Sequence, residues 1–206
     1  RGNPNSLMST NGAEAGGFLK TDPRLDRPDI QLHFVVGILQ NHARSLSPYH
    51  GVSCHACVLR PTSRGWVQLA SANPLDAPLI HPNFLATEAD VAALLRGVRL
   101  MQRIMAAAPL GQYAATEMQP THALTDAQLI AEIRRRADTV YHPVGTCRMG
   151  QDRLAVVDAQ LRVQGMTGLR VVDASVMPTL IGGNTSAPTI MIAEKAADLI
   201  KASYAN

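Results

Sequence analysis

One amphipathic stretch constrains the fold more than any other feature of this 206-residue chain. Val91, Leu94, Leu95, Val98, Met101, Ile104 and Met105 recur at three- and four-residue intervals, the spacing that gathers side chains on one face of an α-helix. Thr87 stands where it can cap this helix, Asp90 lies three residues on near the positive end, and Pro109 with Gly111 is expected to end it. A helix with a single apolar stripe must bury that stripe, and the preceding sequence supplies partners of the other kind. Residues 29–37 (DIQLHFVVG) alternate and are rich in β-formers, so they read as a strand. Residues 53–60 and 65–70 read as two more, joined by the Pro-Thr-Ser-Arg turn into an antiparallel hairpin. Residues 1–14 are turn-rich and read as a loop, and residues 73–82, with three prolines, as an extended connection. A second helix is expected from Thr125, with Gln128 completing a capping box, to about Ala137.

After Asp138 the pattern changes. A His-Pro-Gly loop over residues 141–150 leads to two short apolar runs, residues 155–157 and 169–172. A turn, Ile181-Gly182-Gly183-Asn184, then precedes a final helix over about residues 189–202 that would bury Ile190, Ile192, Ala193, Ala196, Ala197 and Ile200. The fold class that results is α+β. The change of pattern near residue 138 leads to the expectation that a second unit begins there.

Composition narrows the function. A net charge of +3 is too small and scattered for a nucleic-acid partner, and Arg134-Arg135-Arg136 falls on a solvated helix face. Three cysteines do not make a disulfide framework, which leads to the expectation of a reducing, cytoplasmic setting, with peripheral contact at the inner membrane left open. The most apolar early run, residues 30–39, is about half the length a bilayer requires, so no transmembrane segment is expected. The chain opens on Arg1 within a turn-rich stretch and is read as a piece of a longer protein.

Several motifs have a chemical and a plain reading. Cys54-His55-Ala56-Cys57 has the spacing of a redox pair, but in a strand residues three apart point to opposite faces, so a structural strand is the better reading. Asp173-Ala174-Ser175 with His142 lacks the glycines of a hydrolase nucleophile elbow. No metal site is expected. Gly182-Gly183-Asn184-Thr185-Ser186 is either a flexible turn or a helix N-terminus facing an anionic ligand atom. No Gly-x-Gly-x-x-Gly occurs, so no complete dinucleotide-binding unit is encoded.

Motifs in register carry a resemblance. Tyr141-His142-Pro143-Val144-Gly145-Thr146-Cys147-Arg148-Met149-Gly150, then Leu169-Arg170-Val171-Val172-Asp173-Ala174-Ser175-Val176-Met177-Pro178, then Gly183-Asn184-Thr185 resemble the signatures of the glucose–methanol–choline (GMC) oxidoreductases. Leu59-Arg60-Pro61, Ser63-Arg64-Gly65, His81-Pro82-Asn83 and Asn11-Gly12-Ala13-Glu14 fit the same pattern, so the resemblance covers essentially the whole chain. It implies that residues 1–138 are the substrate domain, an antiparallel sheet with helices on one side. Residues 139–206 are then the return of the chain to an FAD-binding α/β domain whose glycine-rich N-terminal half is absent here.

By the same resemblance the activity is oxidation of a primary alcohol, choline or an aliphatic alcohol, to the aldehyde, with FAD as cofactor and oxygen or a quinone-like carrier as electron acceptor. His142 matches the catalytic histidine and Asn184 the second active-site position. Asp173 and Ala174 match the stretch near the flavin ribityl and pyrophosphate, and Tyr141, Thr185 and Ser186 match positions near the isoalloxazine. The residue types suit the task. A neutral imidazole can take a hydroxyl proton, and an amide can hydrogen-bond the developing alkoxide without titrating. Few aromatics (4%) argue against a cage for a quaternary ammonium, and residues 54–59 look more like the relatives acting on aliphatic or polyether alcohols. An isolated, non-catalytic substrate or interaction domain stays open as the alternative.

Overall fold

The computed structural model describes residues 12–39, 47, 49–113 and 116–204. The chain divides into two compact units: Arg1–Leu59 with Thr87–Ala137, and Arg60–Ala86 with Asp138–Asn206. One crossing therefore falls at 137/138, and residues 60–86 belong with the second unit. The loop expected before residue 12 lies outside the described residues.

In the first unit, strands β1 (Ala13–Leu19), β2 (Ile30–Val35) and β3 (Ser53–Val58) form an antiparallel sheet with β2 in the middle. Residues 13 and 14, expected in a loop, belong to β1. The pleat alternates two sets of side chains on β2. Ile30, Leu32 and Phe34 share one face, and Gln31, His33 and Val35 the other. Helix α1 (Glu88–Met105) covers the first face. Ile30 is fully buried, and a Cβ on Gly97 of α1 would lie 2.8 Å from the Cδ1 of Ile30. Glycine there lets the helix approach the sheet more closely than any other residue could.

On the opposite face His33 pairs with His55 and Gln31 with Cys57 across the β2–β3 ladder. Burial, together with His33 and Arg136, lowers the His55 pKa and favours the neutral ring. Burial raises the Cys54 and Cys57 thiols, and both are free, as their strand placement implies.

The expected helix caps are present. Thr87 accepts a hydrogen bond from the Asp90 backbone N–H, and Thr125 with Gln128 forms the full capping box of α3 (Asp126–Arg136). Arg135 and Arg136 pair with Glu132, and Arg134 with Glu88, which leaves the basic run on an exposed face. Proline 109 does not close α1, which stops at Met105. It stands in the first turn of the one-turn helix α2 (Ala108–Gly111), where its missing N–H is not needed.

The expected hairpin between residues 53–60 and 65–70 does not form. Strand β3 pairs with β2, whereas β4 (Trp66–Gln68) pairs with β5 (Leu79–His81) in the second unit. Pro-Thr-Ser-Arg offers no residue suited to the positive-φ turn of a tight hairpin, and Pro61 brings no N–H to a ladder. The stretch 73–82 is not simply extended. Ser71, Asn73 and Asp76 close a hydrogen-bonded turn, and β5 follows it.

The second unit is built mostly of loops around a small core. Val157 and Val176 are fully buried, Leu161 and Ala196 nearly so, with Met149, Val156, Val163, Val171, Val172 and Ile192 packed around them. Burying a valine side chain completely stabilises by about 1.5–3 kcal/mol. The apolar runs at 155–157 and 169–172 enter isolated bridges, Met149–Val157, Val157–Val163 and Arg162–Arg170, rather than full strands. The closing helix α4 spans Ser186–Tyr204, three residues earlier than expected at its start and two later at its end. Only Ala196 of its expected apolar set is fully buried, Ile192, Ala197 and Ile200 are half-buried, and Ile190 and Ala193 are exposed.

Candidate functional site

In the second unit the turn before α4 meets the His142 imidazole, and the loop that follows His142 is bonded to a 3₁₀ turn. The 145–149 loop is laced to the 3₁₀ turn Ala174–Val176 by backbone bonds from Cys147 N–H to Ser175 C=O and from Met149 N–H to Val176 C=O. Asp173 caps that turn, accepting from the backbone N–H and the hydroxyl of Ser175. The turn seats Val176 in the core, against which α4 packs. The loop that follows His142 is thus tied to the 3₁₀ turn on which α4 packs.

At its centre, the Asn184 amide nitrogen lies 2.8 Å from His142 Nε2, and the Thr185 hydroxyl lies 2.8 Å from His142 Nδ1. An amide nitrogen only donates, so Nε2 accepts and Nδ1 carries the ring proton, donating it to Thr185 Oγ1. The Thr185 backbone N–H also approaches Nδ1, at 3.5 Å, too far to compete with the hydroxyl. The neutral ring therefore presents the basic lone pair of Nε2 on the side of Asn184. His142 is half-buried, Thr185 is buried (8% exposed) and Asn184 is exposed.

Local sequence explains why Thr185 is available. It immediately precedes α4, where a threonine hydroxyl ordinarily accepts a backbone N–H two or three residues on. The third residue on is Pro188, which has none. The hydroxyl turns to the imidazole, while the Thr185 carbonyl accepts both the N–H and the hydroxyl of Thr189. The first turn of α4 is left without a side-chain cap from Thr185, its Ser186 and Ala187 exposed at the positive end of a 19-residue helix.

The structure brings His142, Asn184 and Thr185 into direct contact and puts Ser186 at the first position of α4. Tyr141 is exposed beside the histidine with φ +63°, its N–H donated to the Thr139 hydroxyl. Asp173 and Ala174 lie on the 3₁₀ turn, where Asp173 is bonded to Ser175 rather than to His142. No cluster of three or more metal-ligating side chains occurs among the described residues.

Sequence reasoning assigned no role to one residue that the structure brings to the turn. The Arg60 guanidinium lies against Gly182, two residues before Asn184. The available signal was the doubled glycine, one of which proves to be required by a neighbour.

Residues 61–193 match the family model described as GMC oxidoreductase, and the chain belongs to that family. It is 47% identical over 195 residues to an alcohol dehydrogenase [acceptor] of Pseudomonas putida, covering 94% of this chain and 35% of the relative. It is also 47% identical over 191 residues to the mitochondrial choline dehydrogenase of Mus musculus, covering 91% and 32%. Among solved structures, pyridoxine 4-oxidase from Mesorbium loti superposes with a TM-score of 0.83 at 30% identity, over 91% of this chain and 37% of that one. The chain thus spans about a third of the length of the curated relatives it matches. FAD is the cofactor of the family.

Proposed function

We propose that this chain carries the proton-handling part of an FAD-dependent oxidoreductase that converts a primary alcohol, choline or an aliphatic alcohol, to the aldehyde. The observation that supports it most is the neutral His142 ring, tethered at Nδ1 by Thr185 and facing the Asn184 amide with Nε2. FAD, when bound, supplies the hydride acceptor. The residues present suit a flavin: the exposed first turn of α4, with its positive end and no Thr185 cap, is a place for the electron-rich carbonyl edge of such a ring. Ser186, Tyr141, Asp173 and Ala174 are the further residues assigned to it.

The roles follow from the hydrogen bonds. The substrate hydroxyl takes the position of the Asn184 amide on Nε2 and gives its proton to that nitrogen. Asn184, with two N–H donors and no titrating proton, then donates to the oxygen left behind. As the ring becomes cationic, Thr185 Oγ1 still accepts from Nδ1, so the imidazolium forms without reorienting. Proximity in a fixed pose is the larger part of what such a pair contributes.

The test is His142→Ala in the FAD-loaded enzyme, with choline and medium-chain alcohols assayed side by side. Turnover on the preferred substrate falls by about 10²–10⁴-fold. Survival within about tenfold on every alcohol refutes the reading.

A further inference from the structure

Gly182 points to a residue outside the set described above. A Cβ built on it would collide with Nη2 and Cζ of Arg60 and lie 3.0 Å from Nη1, so the guanidinium occupies the space where any other residue would put its side chain. The backbone of Gly182 does not lie in the positive-φ region, unlike Gly145, Gly165 and Gly168. Backbone conformation therefore does not demand glycine at 182. The neighbouring cation does.

We infer that Arg60 is a positioning residue: its guanidinium seats on Gly182 and fixes the turn that holds the Asn184 amide on His142 Nε2. The inference rests on the proposed roles of His142 and Asn184. The chain of contacts is short. Arg60 meets Gly182, the turn continues through Gly183 to Asn184, and the Asn184 amide reaches Nε2 at 2.8 Å. A guanidinium is planar and always charged, so it can lie flat against a side-chain-free backbone in a way the compact ammonium of a lysine cannot reproduce. A small shift of the turn would separate amide from imidazole, and misplacement of about 1 Å in a catalytic pair can cost 10²-fold.

The experiment is a double-mutant cycle in the FAD-loaded enzyme with Arg60→Ala, Gly182→Ala and both together, with Arg60→Lys as a conservative variant. Two readouts are taken: steady-state kinetics, and the ¹⁵N chemical shift of His142 Nε2 in ¹⁵N-histidine-labelled protein, which reports the Asn184 bond independently of turnover. Arg60→Ala and Gly182→Ala are each expected to move the Nε2 signal toward that of a free neutral ring and to lower kcat by about 10²-fold with KM little changed. Gly182→Ala in the Arg60→Ala background is expected to add little, because the group it collides with is gone. Arg60→Lys recovers only part of the loss, and added guanidinium recovers turnover of Arg60→Ala.

Equal and additive losses from the two substitutions, or an Nε2 signal unchanged in Arg60→Ala, would overturn the inference. If His142→Ala proves active while the Nε2 signal still responds to Arg60, the positioning role stands and the catalytic assignment fails. Should Arg60→Ala not fold, Arg60→Lys and Gly182→Ala carry the same comparison, and an Nε2 signal unmoved in both rejects the role.

Discussion

Tyr141 carries a backbone cost that its neighbours exploit. A bulky L-residue at φ +63° sits in the left-handed region, whereas His142, preceding Pro143, is restricted to extended conformations. A left-handed residue followed by an extended one reverses the chain sharply, and the reversal is what points the imidazole at Asn184 and Thr185. Tyr141→Val, β-branched, is expected to destabilise by roughly 1–2 kcal/mol in denaturant unfolding, whereas Tyr141→Gly is expected to unfold no earlier than the parent. A valine variant as stable as the parent contradicts this. At this scale the sequence was informative where chemistry rides on residue type. His142 and Asn184 were found from their motifs, and they meet. The Thr185 bond, the strained Tyr141 and the seat of Arg60 were not legible, because each depends on an approach between residues some 40 or more positions apart or on a φ value that no spacing encodes.

Elements are governed by shorter-range rules, and these were read well wherever the rule is local. The caps at Thr87 and Thr125 depend only on residues within three positions and are both present. Thr125→Ala removes the side-chain half of a reciprocal box, leaving the Thr125 backbone N–H bonded to Gln128, and is expected to lower stability by about 1 kcal/mol, seen as a fall in the denaturant midpoint at unchanged slope. No change in midpoint would mean the box contributes nothing net. Strand pairing is non-local and was misread: alternation identified β3 but could not say that β2, some 20 residues upstream, would take its edge. Helix α4 begins three residues before the expected residue 189, since the first turn of a helix tolerates Pro188. Ile190 and Ala193 were assigned to a buried face by periodicity, which reports that a face is apolar but not what covers it.

For the whole molecule, the motifs in register identified the family. The sequence could not show that residues 60–86 count with the second unit, because a segment that leaves one body and rejoins it later carries no compositional mark. Among the described residues no helix is long and apolar enough to cross a membrane. These 206 residues contain no glycine-rich phosphate loop, so the chain by itself is expected to bind FAD weakly. Purified alone and washed, it should show no flavin band near 450 nm, and a yellow preparation would refute that expectation.

Pro188 illustrates how far a missing atom reaches. Because proline has no hydrogen to offer the start of α4, the oxygen one turn upstream is left for the aromatic ring, and with it the choice of which nitrogen keeps its electrons. The tether on this ring is therefore inherited from a helix-start rule, and it could be retuned by editing position 188.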